Sequence, residues 1–577
     1  MRPPLTLLPL YSLLSLTSGL ASEDNPPLKN ANHIFNAIQD SMRQWGSSLH
    51  HNGVSFFLAT VPEGTQFYHG TSKSSPVNGT EWLAFEPEHA MVFARPRRGG
   101  PPPGGPPPGD DRDDPERPEG RHGELRKREH RGPDGKQPEA WADRFGEDGE
   151  GGDAGYLHTY AAAKDLRLLY VDGMSAAKTS KGTLDSQDIL LFNGSVGERP
   201  GGGPPGENDR ARLACEMAET EWGGRIDGLL RMEAGFEIIL CAFERDLTPL
   251  RITQVKPRAK NEFGPKGGHK HGGREGRKQQ EEEGDGDDHG KRRGPDRPPH
   301  GGREGHKQEE GDGDDHGKRR GPGGPPHGGP GHGPESSSWM RAVTARYHGI
   351  GGNRVSLNYD HFVTAFSYDV ELFQDGSRLP RLDKLSSSEL DTIRSHVTTL
   401  ITTHDATEKS RDWQVIADMV VTRYSKDLSY FVSGKISSLE TLQAEIERVM
   451  SPYIDFTDRS DVVEAQRCAT QFLPPHSLDS EGLAAHAVYS VAHSICSKLL
   501  EAGKGKDLES AVQILRDLVD YLDWATWKEC RGCAADQLCV VPIWPMGTVK
   551  DYESPSCKDA SNPYDQDGES YWGRMRH

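Results

Sequence analysis

The residues best suited to chemistry lie at the two ends of one stretch of sequence. Near its start, Gln66-Phe67-Tyr68-His69-Gly70-Thr71 places an imidazole at a strand end, beside a glycine where a ligand can approach the backbone closely. Glu81-Trp82-Leu83-Ala84-Phe85 follows, then Pro87-Glu88-His89-Ala90 and Phe93-Ala94. At its far end, Phe236-Glu237-Ile238-Ile239-Leu240-Cys241 sets a single acid in an apolar run. Strand alternation puts Glu237, Ile239 and Cys241 on one face and Phe236, Ile238 and Leu240 on the other. A carboxylate in a buried strand is costly unless it is paired or put to work. Two structural readings stand beside the chemical one. His69 can be a strand-end histidine with one backbone hydrogen bond, and Glu237 can pair with Arg167 or Arg231 inside the sheet.

Other candidates offer less. Ser175 in Asp172-Gly173-Met174-Ser175 lacks the Gly-x-Ser-x-Gly elbow of a hydrolase nucleophile. Histidines and aspartates are frequent between 256 and 338, but without fixed geometry they would adsorb metal and not bind it at a site. Cys530-x-x-Cys533 has no second Cys/His pair at zinc spacing. The chain has eight cysteines, an even number, which favours disulfides in an oxidising compartment. Cys215 and Cys241 precede the other six by more than two hundred residues and are expected to bond to each other.

The start of the chain predicts that compartment. Met1-Arg2 leads into an apolar stretch from Leu5 to Leu16, shorter than the ~20 residues a bilayer span needs. Gly19-Leu20-Ala21 supplies small residues for cleavage after Ala21, so residues 1–21 read as a signal peptide, with no membrane anchor expected. Asn78-Gly79-Thr80 and Asn193-Gly194-Ser195 are glycosylation sequons. The net charge of -19 argues against a nucleic-acid partner, since phosphates demand a basic face.

The 577 residues include 67 Gly and 41 Pro, and only 33% are hydrophobic, so much of the chain lacks material for a core. Residues 95–153 and 256–338 read as disordered insertions. The second carries a repeat: His271-Gly-Gly-Arg-Glu-Gly returns at His300, and Gly-Asp-Gly-Asp-Asp-His-Gly-Lys-Arg-Arg-Gly-Pro begins at Gly284 and at Gly311. The recurring Lys291-Arg292-Arg293 and Lys318-Arg319-Arg320, with Arg126-Lys127-Arg128, suit either a dibasic-cleaving processing protease or plain charge patterning.

The ordered remainder divides in two. Residues 22–94 and 154–255 are expected to form an α+β module. Ile34 to Leu49 is patterned as one helix capped by Asn30 or Asn32, and strands are expected at Val54 to Val61, Gln66 to His69, Trp82 to Phe85, Leu166 to Val171, Ile226 to Met232 and Phe236 to Phe243. Arg210 to Trp222 reads as a helix. Residues 339–557 are expected to form a mainly α module with a cysteine-bearing tail. Helices are patterned at Leu390 to Leu400, Trp413 to Tyr424, Leu439 to Met450, Leu483 to Leu500 and Leu508 to Trp524, after a strand pair at Arg354 to Tyr359 and Phe362 to Tyr368. Residues 558–577 read as a disordered tail.

With these motifs in place, residues 54 to 245 resemble the ADP-ribosyltransferase fold, in its His-Tyr-Glu class. The resemblance implies a split antiparallel sheet and NAD as cofactor. His69 matches the His-Gly-Thr strand that grips NAD, and Glu237 matches the catalytic acid of a late strand. Tyr68, Gly70, Thr71 and Phe85 would line the cofactor site. Phe85 or Phe93 stands where the class has Tyr or Ser. The chain also resembles a family of uncharacterised secreted fungal proteins through Leu168 to Lys178, Gly182 to Asp188 and Asp227 to Glu233. Two functions stay open: a secreted NAD-dependent ADP-ribosyltransferase or NAD glycohydrolase, and a non-catalytic secreted interaction or cell-surface glycoprotein with a protein or small-molecule partner.

Overall fold

The period-two runs of the N-terminal half become strands, and the three-to-four spacing of the C-terminal half becomes helices. A computed structural model describes residues 28–96, 154–196, 206–256, 334–374, 376–475, 477–478, 482–564 and 569–572. The signal peptide, the basic clusters and the repeats lie outside these residues, as do nearly all of the expected insertions.

Nine strands form one sheet: β1 (Asn52–Val61), β2 (Gln66–Thr71), β3 (Glu81–Ala84), β4 (Tyr156–Ala162), β5 (Leu166–Gly173), β6 (Gly228–Met232), β7 (Phe236–Leu240), β8 (Leu247–Gln254) and β9 (Ser356–Thr364). Their spatial order is β8-β4-β2-β3-β7-β6-β5-β1-β9. All neighbours are antiparallel except β5 and β6, which pair in parallel. The sheet is therefore continuous and mixed, where a split antiparallel sheet was expected. The parallel pair requires a crossover, and the crossover holds a helix, Glu207–Glu219.

The helices are α1 (Ala31–Asp40), α2 (Gln44–Leu49), α3 (Pro87–Met91), α4 (Glu207–Glu219), α5 (Phe243–Asp246), α6 (Pro334–Thr344), α7 (Ser387–Thr403), α8 (Trp413–Phe431), α9 (Leu439–Met450), α10 (Asp461–Thr470), α11 (Leu483–Gly503), α12 (Leu508–Leu522) and α13 (Val549–Glu553). The single helix expected from Ile34 to Leu49 is two, because the backbone turns at Ser41 to Arg43 with Met42 at φ 55°. Asn30 precedes α1 but does not cap it; its amide donates to the Phe366 carbonyl at 3.0 Å.

The sheet-rich N-terminal part and the helical C-terminal part share one hydrophobic core among the described residues. The described residues before 257 and after 330 form one compact unit. The strand pair expected at 354–368 is one strand, β9, and its partner is β1. Asn358 Oδ1 accepts from the amides of Asp360 and His361 at 3.1 and 2.9 Å, and the register with β1 shifts there. α1 packs on α11 and α8. Asn32 and Asn36 donate to the carbonyls of Tyr521 and Leu522 at 2.7 and 3.0 Å, and Trp45 donates to Ala525 at 3.0 Å. The apolar stripe of α1, with Ile34, Phe35 and Ile38 fully buried, thus finds its cover in the C-terminal helices.

Four disulfides join Cys215 to Cys241, Cys468 to Cys496, Cys530 to Cys539 and Cys533 to Cys557. The first is the expected pair. The last two fasten a short hairpin, β10 (Gln537–Val540) with β11 (Ser556–Asp559). Tyr571 and Trp572 are buried, so the expected disordered tail contains ordered residues that return to the core.

Candidate functional site

Tyr68 pairs with Ala84, and Ala84 pairs with Glu237, so these three lie in one row across β2, β3 and β7. Paired residues share a face and successive residues alternate. His69 therefore points to the opposite face from Glu237. The two expected catalytic residues do not meet across a cleft.

On its own face, His69 is buried and its Nδ1 lies 2.8 Å from the Trp82 carbonyl oxygen. His158 and Phe243 pack edge-on against its ring. Burial pushes its pKa down to about 4, so it is a neutral donor to the backbone. Gly70 does give the close approach that its type suggested, but to the protein: a methyl group there would overlap the Ala90 carbonyl oxygen of α3. Phe85 is buried edge-on against Phe67, with the Arg354 guanidinium 5.4 Å from its ring centre. Thr71 and Tyr68 are half-buried, and the Thr71 hydroxyl takes the Lys73 amide at 3.4 Å. The expected NAD-binding set is thus divided between two faces and a packed helix.

Glu237 takes part in a buried ion network. Arg231, directly opposite it on β6 and wholly buried, donates from Nε to Glu237 Oε1 at 2.8 Å. The same guanidinium bonds Gln187 Oε1 at 3.0 Å and the Glu207 carboxylate. Lys178 lies 3.0 Å from Glu233 and 3.3 Å from Glu207, and Arg210 lies 3.0 Å from Glu207 and 2.7 Å from Asp188. Burial opposes the charge on Glu207, but Arg231, Lys178 and Arg210 outweigh it and hold its pKa far below the usual range. Of the two partners expected for Glu237, Arg231 is the one that meets it, while Arg167 pairs with Asp227. Nothing in the sequence indicated that β6 would deliver a guanidinium needing two carboxylates and an amide.

A second constellation went unnoticed in the sequence because its parts are hundreds of residues apart. A cavity of about 340 Å³ is lined by α1 and α2, the ends of β1 and β5, the 377–380 loop, α13 and Tyr571. In its wall, His50 Nδ1 lies 2.6 Å from Asp40 and Nε2 lies 3.5 Å from Asp523. Burial works against the imidazolium, but both carboxylates favour it and its pKa rises to about 10. Asp172 accepts the Tyr170 hydroxyl at 2.8 Å; burial exceeds that bond and raises its pKa to about 7. Gly53 makes room for Asp172, since a methyl group there would lie 2.6 Å from Oδ2. The next residue, Val54, sits at φ 42°, a conformation that costs a β-branched side chain of order 1–3 kcal/mol. Tyr552 and Tyr571 stack with centres 4.4 Å apart. Lys528 lies 4.2 Å from the centre of Tyr552, and Lys181 lies 4.3 Å from that of Tyr571.

Residues 25–263 match the family described as the YPL277C N-terminal domain. Two uncharacterized proteins of Saccharomyces cerevisiae, YPL277C and YOR389W, are 36% and 33% identical over 236 residues, 40% of this chain. The aligned region is 44% of the first relative and 34% of the second, so the chain spans less than half the length of the curated relatives it matches. The likeness supports an uncharacterised fungal family. No solved structure matches.

Proposed function

We propose that the chain is a secreted glycoprotein with a non-catalytic, ligand- or partner-binding role, and that the NAD chemistry implied by His69 and Glu237 is not its activity. The observation that carries this reading is the Arg231–Glu237 bond inside the sheet. An acid that stabilises positive charge on a departing glycosyl group must face the substrate. Glu237 instead faces a guanidinium, and His69 lies on the other side of the sheet.

Secretion is supported by the apolar start of the chain and by four disulfides that use all eight cysteines. Glycosylation is supported by the exposure of Asn78 and Asn193, each followed by a glycine at positive φ in a surface turn. Protein recovered from culture medium tests both. N-terminal sequencing should read from Ser22, and glycosidase treatment should lower the mass of peptides holding Asn78 or Asn193. An intact Met1 on cell-bound protein, or bare asparagines at both sequons, would overturn the reading.

A further inference from the structure

The polar groups lining the cavity beside His50 sort by whether the protein already uses them. Asn52 donates to the carbonyls of Lys181 and Pro380 at 2.7 and 2.9 Å, and its Oδ1 meets His51. The Tyr552 hydroxyl donates to Leu49 at 3.2 Å, and Ser47 donates to Asp40 at 3.1 Å. Ser377 donates to Leu379, and Tyr571 bonds His51. Asp40 and Asp523 are taken up by His50, and Asp172 is bonded to Tyr170.

What remains is mostly cationic. Lys181, Arg378 and Lys528 line the cavity; Lys528 also donates to the Tyr552 carbonyl at 3.0 Å, and none of the three has a carboxylate within salt-bridge distance among the described residues. The two ammonium groups rest on the outer faces of the Tyr552–Tyr571 stack, which fixes their positions without neutralising them. Burial lowers the pKa of both lysines and outweighs the carboxylates near them, Glu569 for Lys181 and Asp523 for Lys528. Asp523 and Glu553 also line the cavity and partly offset Lys528, Glu553 the more weakly. Asn36 and His33 complete the uncommitted set: the buried Asn36 Oδ1 has no donor among the described residues, while its amide is held by Leu522.

We propose that this cavity is a binding site for a small organic anion, of about monosaccharide size, whose phosphate or carboxylate is held by Lys181, Arg378 and Lys528. Charge-assisted bonds from several cations to one oxyanion are the stronger kind of polar contact. The volume of about 340 Å³ falls at the small end of ligand sites and exceeds what a bare oxyanion would fill. The site is built from both halves of the chain, so only the intact protein presents it. It does not depend on whether the protein acts on NAD.

The test is calorimetry on the full secreted chain with glucose 6-phosphate, glucuronate, glucose and inorganic phosphate. At least one of the two organic anions should bind with a Kd below about 1 mM, while glucose should not bind. Preference for the first assigns phosphate; preference for the second assigns carboxylate. Lys181→Met and Arg378→Met keep much of the side-chain bulk at half-buried and exposed positions. Together they should weaken binding by at least about ten-fold without changing the melting temperature of the free protein. The proposal is overturned if neither organic anion binds, if glucose binds equally well, if inorganic phosphate binds as tightly as the organic anions, or if the double variant leaves affinity unchanged.

Discussion

If Glu237 is a structural counter-ion, replacing it must injure the fold. In Glu237→Gln the shape is kept and one acceptor remains for Arg231, but the charge is lost from a pair 2.8 Å apart whose side chains are 0% and 8% exposed. At an effective dielectric constant near 20 the Coulomb attraction is about 6 kcal/mol. Removing the carboxylate also removes its own desolvation penalty, and Glu207 still faces the guanidinium. The net loss belongs at the low end of the range for breaking a buried pair, about 3 kcal/mol. With a urea m value of about 3 kcal/mol/M for a unit this large, the midpoint should fall by about 1 M. Urea titrations followed by tryptophan fluorescence and by far-UV circular dichroism give that number and show whether one transition suffices. An unchanged midpoint would refute the counter-ion role and return Glu237 to the chemical reading.

Other outcomes follow from the same structure. Non-reducing peptide mapping should recover Cys215 linked to Cys241, and Cys215→Ser with Cys241→Ser should cost about 3 kcal/mol on the chain-entropy model for a separation of 26 residues. A fragment ending at residue 257 should be insoluble or unfolded, because β1 loses β9 and α1 loses α11; a soluble fragment with cooperative melting would contradict the shared core. The pH dependence also has a definite sign. Asp172 and His50 both hold their protons more tightly folded than unfolded, so each contribution to stability falls as pH rises, for Asp172 from 3.8 to about 7 and for His50 from 6.5 to about 10. Denaturant midpoints of wild type and of Asp172→Asn should converge as pH is lowered toward 4, with the variant relatively more stable above 7.

The helices were legible where an apolar stripe was uninterrupted: the expected 439–450 agrees with α9 to the residue. α10 was missed, since Asp461 to Thr470 carries only a short run of buried positions. Among strands, β7 and β1 announce themselves by β-branched and aromatic residues, whereas β8, mostly exposed and containing Pro249, has the polar character of a sheet edge and is not among the expected strands. The acid inside β7 was correctly singled out as needing compensation. That Arg231 supplies it, and that His69 faces away, depend on strand order and register, which period-two patterning does not encode. Neither the β1–β9 pairing nor the cavity could be seen, because each joins segments hundreds of residues apart.

The most direct test of the whole reading is release of nicotinamide from NAD by wild-type protein purified from culture medium, with and without candidate acceptor proteins. The proposed non-catalytic role predicts no release above buffer alone. Nicotinamide release by wild type that Glu237→Gln abolishes, in a variant whose urea midpoint is unchanged, would contradict it.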